Sequence, residues 1–102
     1  MRSKKAIENR IQKIKEELMK TKEMRPGSLT RQSRGAKGEY YQLSYTHANR
    51  GRTEYIRSEF AKNIQRQIKN YRRFKKLIDE WVSLAIELSK LNMELEKKAG
   101  QK

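Results

Sequence analysis

Two periods organise the apolar residues of this chain. Between residues 4 and 24, Ile7, Ile11, Ile14 and Leu18 follow at intervals of four, three and four, the repeat of one helical face, with Ser3 placed to cap it. Pro26 and Gly27 end the pattern, because a residue before proline is pushed toward extended geometry. From Glu39 the period falls to two: Tyr41, Leu43 and Tyr45 share one side of an extended segment, and Arg52, Thr53, Tyr55 and Ile56 resume it. This predicts a β-hairpin with strands near 40–46 and 52–56, turning through Asn49, Arg50 and Gly51. After Ser58, a second candidate cap, the helical period returns and runs without proline or glycine to Lys97.

That long helix carries two apolar stripes. Phe60, Ile64, Ile68, Tyr71 and Ile78 mark one face, while Phe74, Leu77, Trp81, Leu84, Leu88, Leu91 and Leu95 alternate by three and four in a heptad rhythm. A two-stranded hairpin is marginal by itself, so the first stripe is its natural support. The first helix, about 30 Å long at 1.5 Å per residue, matches the 77–97 half of the second. The expected class is therefore α+β, mostly α: an antiparallel, coiled-coil-like helix pair with a two-stranded β-hairpin packed on the first half of a long C-terminal helix. As one domain, residues 1–102 divide into a helix at 4–24, a basic loop at 25–38, the hairpin at 39–56 and the long helix at 58–97.

Composition narrows the chemistry. With 34% hydrophobic and 37% charged residues, the core is modest, which makes a homodimer or folding against a partner a natural completion. The net charge of +14 puts nucleic acid first among partner classes, ahead of anionic membrane surfaces and acidic proteins. There is no cysteine and His47 is the single histidine, so disulfide and thiolate chemistry are excluded, and neither a metal nor another cofactor is expected. No activated nucleophile or phosphate-cradling glycine loop is present, which reads as a non-enzymatic protein. No apolar run approaches the ~20 residues of a membrane span; the expectation is a cytoplasmic protein, nucleoid-associated in a prokaryotic host.

The charge is concentrated. Residues 25–38 and 57–76 hold +11 of the +14, and no acid interrupts residues 60–78. There Lys62, Arg66, Lys69, Arg73 and Lys76 recur at four, three, four and three, which confines them to an arc of about 80° opposite the Ile64–Ile68 stripe. A purely solvated face usually mixes signs, whereas a one-sign ladder raises a self-repulsion that a phosphate-rich partner relieves. An antiparallel helix pair would set the basic loop, with Arg25, Arg31, Arg34 and Lys37, beside Arg72 and Arg73, and Arg50 and Arg52 would stand at the hairpin tip. These residues are the candidate nucleic-acid contacts, with DNA favoured over RNA, duplex favoured, and sequence preference weak. Asn63, Gln65, Gln67 and Asn70 flank the ladder as amides able to read base edges, although ordinary helix surface explains them more simply. A basic-region zipper does not fit, because the ladder helix also carries an apolar face.

Four stretches carry a resemblance: Pro26-Gly27-Ser28-Leu29, Tyr40-Tyr41-Gln42-Leu43-Ser44-Tyr45, Arg52-Thr53-Glu54-Tyr55-Ile56 and Asn70-Tyr71-Arg72-Arg73-Phe74. Over roughly residues 7–95 the chain resembles a family of small uncharacterised prokaryotic proteins, also seen in mobile elements. The resemblance implies a helix, hairpin, long-helix layout and brings no established activity. Some members hold a cysteine pair where this chain has Arg31 to Gly38, so a metal role does not carry over. Two rival readings stay open. One is an interaction module for an acidic protein partner, such as an inhibitor or accessory subunit of a mobile-element nucleic-acid enzyme. The other is a helical dimerisation element joined through Trp81 to Leu95.

Overall fold

The computed structural model describes residues 3–33, 35 and 38–100. In chain order these form α1 (Lys4–Met19), β1 (Ser28–Ser33), β2 (Glu39–His47), β3 (Arg50–Arg57), a 3₁₀ turn (Ser58–Phe60) and α2 (Ala61–Gly100). They gather into two compact units, one of Met1–Lys20 with Phe74–Lys102 and one of Thr21–Arg73. The architecture is α+β and mostly α, with three strands instead of the expected two.

The first unit is a helix pair. Ser3 caps α1 by accepting the Ala6 N–H at 3.2 Å, and Ile7, Ile11 and Ile14 pack against Leu77 and Leu84. Leu18, Trp81, Leu88 and Leu91 close around them half-buried, so the heptad seam is covered by α1 of the same chain. Its direction is antiparallel: Ile7 shares a recess with Leu91, and Lys15 stands 5.4 Å over the Trp81 ring. Ile7 and Ile14 are fully buried, and truncating either to alanine would remove about 2–5 kcal/mol through forfeited transfer energy and a cavity. Arg10 donates to both Glu80 carboxylate oxygens at 2.5 and 2.8 Å, and that hydrogen bonding, more than the Glu80 charge, holds its guanidinium above its ordinary pKa. Leu95 is 45% exposed, since α1 has reached its first turn by Leu91.

The expected helix to residue 24 stops at Met19 instead. Leu18 is the last apolar contact, Met19 is 89% exposed, and nothing beyond it offers α1 a buried face. In the second unit, the segment that follows is irregular and tied to α2: Arg25 N–H donates to the Gln67 carbonyl at 3.1 Å, and Asn70 Nδ2 donates to the Glu23 carbonyl at 2.8 Å. Tertiary hydrogen bonds thus replace helical ones.

The second unit is a three-stranded antiparallel meander, β1-β2-β3, over the start of α2. Part of the expected basic loop is a strand, because Leu29 pairs with Leu43 and extends the sheet by one edge. Leu43, Ile56, Ile64 and Ile68 form the core, with Leu29, Tyr41 and Tyr45 packed beside them. The turn also shifts. His47 pairs with Arg50, so Ala48 and Asn49 make a two-residue turn at φ 51° and 64°, and Arg50 and Gly51 belong to β3. Both central positions then carry the positive φ that a tight, correctly twisted hairpin demands. Ser58 opens a 3₁₀ turn whose N-cap position falls to Arg57 instead; this takes Phe60 out of helical phase and leaves it 52% exposed, outside the stripe expected to bury it.

Candidate nucleic-acid interface

Helical periodicity fixes the first surface of the second unit. Ala61, Ile64 and Ile68 are buried, so residues about 160–200° around α2 must face away from the core. Arg66 and Arg73 lie on that side with Lys62 and Lys69 on its flanks, and all four are exposed. Lys62, Arg66, Lys69 and Arg72 make no ion pair among the described residues. Lys76, also exposed, belongs to the other unit. Four arginines elsewhere find acids: Arg10 with Glu80, Arg25 with Glu54, Arg31 with Glu39, and Arg57 with Glu59 at 3.6 Å. These acids are engaged away from the ladder.

That same pairing engages two of the expected contacts. Arg25 turns inward, its guanidinium 5.1 Å over the Tyr45 ring and 2.5 Å from the Glu54 carboxylate. Arg31, on edge strand β1, donates to Glu39, a bond that raises its pKa. The basic segment therefore does not add its full charge to the ladder as expected. Arg34 and Lys37 lie outside the described residues. Two of the flanking amides are likewise committed: Gln67 Nε2 and Asn70 Nδ2 both hold Glu23, at 3.4 Å to its carboxylate and 2.8 Å to its carbonyl.

Two arginines that no local pattern links come together in the second unit. A shallow cleft of about 560 Å³ at the turn end of the sheet is lined by Arg52, Arg72, Tyr71 and Tyr45, with Gly27 and Gly51 beneath. Gly27 cannot be another residue here without strain. Its φ is 127°, and an added Cβ would stand 2.7 Å from the Ser44 carbonyl oxygen. Only the fold joins Arg52 on β3 to Arg72 on α2.

The outer face of the sheet is a second surface. Alternation along the strands makes rungs of Gln32, Tyr40 and Arg57, of Thr30, Gln42 and Tyr55, and of Ser28, Ser44 and Thr53. This face bears hydroxyls, amides and one charge, Arg57, with no acid and no aliphatic residue. Tyr40 and Tyr55 stack on it with ring centroids 5.1 Å apart, and Tyr55 is 55% exposed. Because the inner rungs hold Leu43 and Ile56 against Ile64 and Ile68, the outer face and the ladder point in opposite directions.

Among the described residues no helix is long and apolar enough to cross a membrane, and no group of three His, Asp or Glu side chains could hold a metal ion. Comparison of the chain with protein-family models, curated proteins and solved structures gives no match in any of the three.

Proposed function

We propose that the second unit binds nucleic acid without catalysing a reaction, gripping phosphates of duplex DNA, with RNA as the weaker ligand, through Lys62, Arg66, Lys69 and Arg73, assisted by Arg72 and Arg52. The observation that carries this reading is the contrast in pairing. Arg10, Arg25, Arg31 and Arg57 are matched to acids, whereas Lys62, Arg66 and Lys69 are left in solvent without one among the described residues. A regular row of bare cations fits a regular row of anions. An acidic protein is the poorer fit, because tight protein interfaces anchor on buried aromatic or aliphatic side chains, and the ladder face of the second unit presents none. Contacts of this kind locate a backbone without reading bases, which agrees with weak sequence preference. A cytoplasmic or nucleoid location and a role in a mobile element belong to the same proposal.

The test is a titration of matched duplex and single-stranded oligonucleotides at several salt concentrations. Four neutralised phosphates give a slope of log affinity against log salt of about −3.6 on duplex DNA, at ~0.9 per contact. A slope near zero refutes the reading.

The outer sheet face favours a second mode. Stacked tyrosines amid amides and hydroxyls suit unpaired bases, or base edges in a major groove wide enough for strands. In that mode removing Tyr55 and Gln42 erases base preference and leaves the salt slope unchanged.

A further inference from the structure

The C-terminal half of α2 carries a second seam that α1 leaves open. Advancing one residue from the covered heptad positions gives Lys75, Ile78, Val82, Ala85, Ser89, Asn92 and Glu96, again at intervals of three and four. Ile86 and Met93 flank it, and Val82, Ile86 and Met93 are 53%, 52% and 60% exposed. In a chain with this little apolar content, three aliphatic side chains aligned in solvent on one helix face mark an association surface rather than chance exposure.

We infer that this seam joins two copies of the chain through an antiparallel α2–α2 contact about a two-fold axis near Ala85 and Ile86. The order of residues selects both occupant and direction. The seam begins with a cation, Lys75, and ends with an anion, Glu96, at nearly equal distances from Ala85 and Ile86. An antiparallel second copy sets each Lys75 against the partner copy's Glu96, Ile78 against Met93 and Val82 against Ser89, and the two-fold makes every contact twice. A parallel copy would oppose lysine to lysine and glutamate to glutamate. Small Ala85 and Ser89 at the crossing allow the helix backbones to approach closely.

This interface is distinct from the Trp81–Leu95 seam considered as a dimer contact, since α1 covers Trp81, Leu84, Leu88 and Leu91 within the same chain. It does not depend on nucleic-acid binding.

Light scattering on the full chain across a concentration series should give a dimer. V82E/I86E should return it to a monomer with unchanged helical circular dichroism. K75E should weaken association at least tenfold, and K75E/E96K should restore it; a substitution that merely perturbed the helix would not be rescued. The absence of native cysteine allows a direct check of direction. Oxidising a mixture of V82C chains and S89C chains should yield the mixed 82–89 disulfide in preference to V82C homodimers. A chain that stays monomeric, a dimer indifferent to V82E/I86E, or preferential V82C–V82C linkage would overturn the inference.

Discussion

Arg25 lies 5.1 Å over the ring of Tyr45, and the same guanidinium reaches Glu54 at 2.5 Å. The side chain is 26% exposed, so it bridges the segment entering β1 to the inner side of β2 and β3 rather than facing a ligand. Replacing Arg25 with Gln should cost about 1 kcal/mol, from a partly shielded cation–π contact and ion pair, and should leave the salt slope of DNA binding unchanged. Denaturation and titration of one variant check both halves. A slope that fell by a full contact would return Arg25 to the interface.

Gly27 meets β2 at a distance that no side chain tolerates. An added Cβ would lie 2.7 Å from the Ser44 carbonyl oxygen and 2.9 Å from Leu43 Cδ1, at a φ of 127°. Gly27→Ala should therefore destabilise the second unit by at least about 1–3 kcal/mol, the range for a backbone held in a disfavoured region, with the clash adding to it. The loss should appear as a lower denaturation midpoint. A midpoint equal to the parent protein's would show that β1 can shift away without cost.

The hairpin turn offers the opposite opportunity. Ala48 holds a φ of 51°, a left-handed conformation that asparagine and glycine adopt readily and alanine does not. Ala48→Asn should stabilise the sheet by about 1 kcal/mol, because the turn keeps its geometry while the strain at its first central residue falls. Thermal melts decide the sign. Destabilisation would mean that the turn relaxes to another type in solution.

These details mark where the sequence was legible and where it was not. The seam Ile7, Ile11, Ile14 and its partners Leu77 and Leu84 could be read directly, because a helix that buries one stripe must repeat it at three and four. The Leu43–Ile64–Ile68 core was legible for the same reason. Strand β1 was hidden: it is an edge strand with one apolar residue, Leu29, in a stretch whose serines and arginines read as a loop. The turn was displaced because Gly51 attracted it, whereas the pairing of His47 with Arg50 set the register. On the candidate surface, the ladder followed from periodicity alone. The inward turn of Arg25 and the meeting of Arg52 with Arg72 depend on residues far apart in sequence, which no local pattern encodes.

The ladder and the outer sheet face make separable predictions, because they lie on opposite sides of the second unit. Arg66→Glu with Arg73→Glu places two anions where phosphates are expected. Binding should weaken at least tenfold on every duplex tested at moderate salt, and the slope should flatten by about 1.8 as two phosphates go without a cation, at ~0.9 each. Tyr55→Ala with Gln42→Ala should leave that slope intact. If instead the ladder variant binds as the parent protein does while the sheet variant fails, the helix face is only a solvated surface and the ligand meets the sheet. Retained binding in both would move the interface away from the second unit's two principal surfaces. Circular dichroism of the double-glutamate variant controls for folding, since both positions are exposed and neither side chain belongs to the buried core.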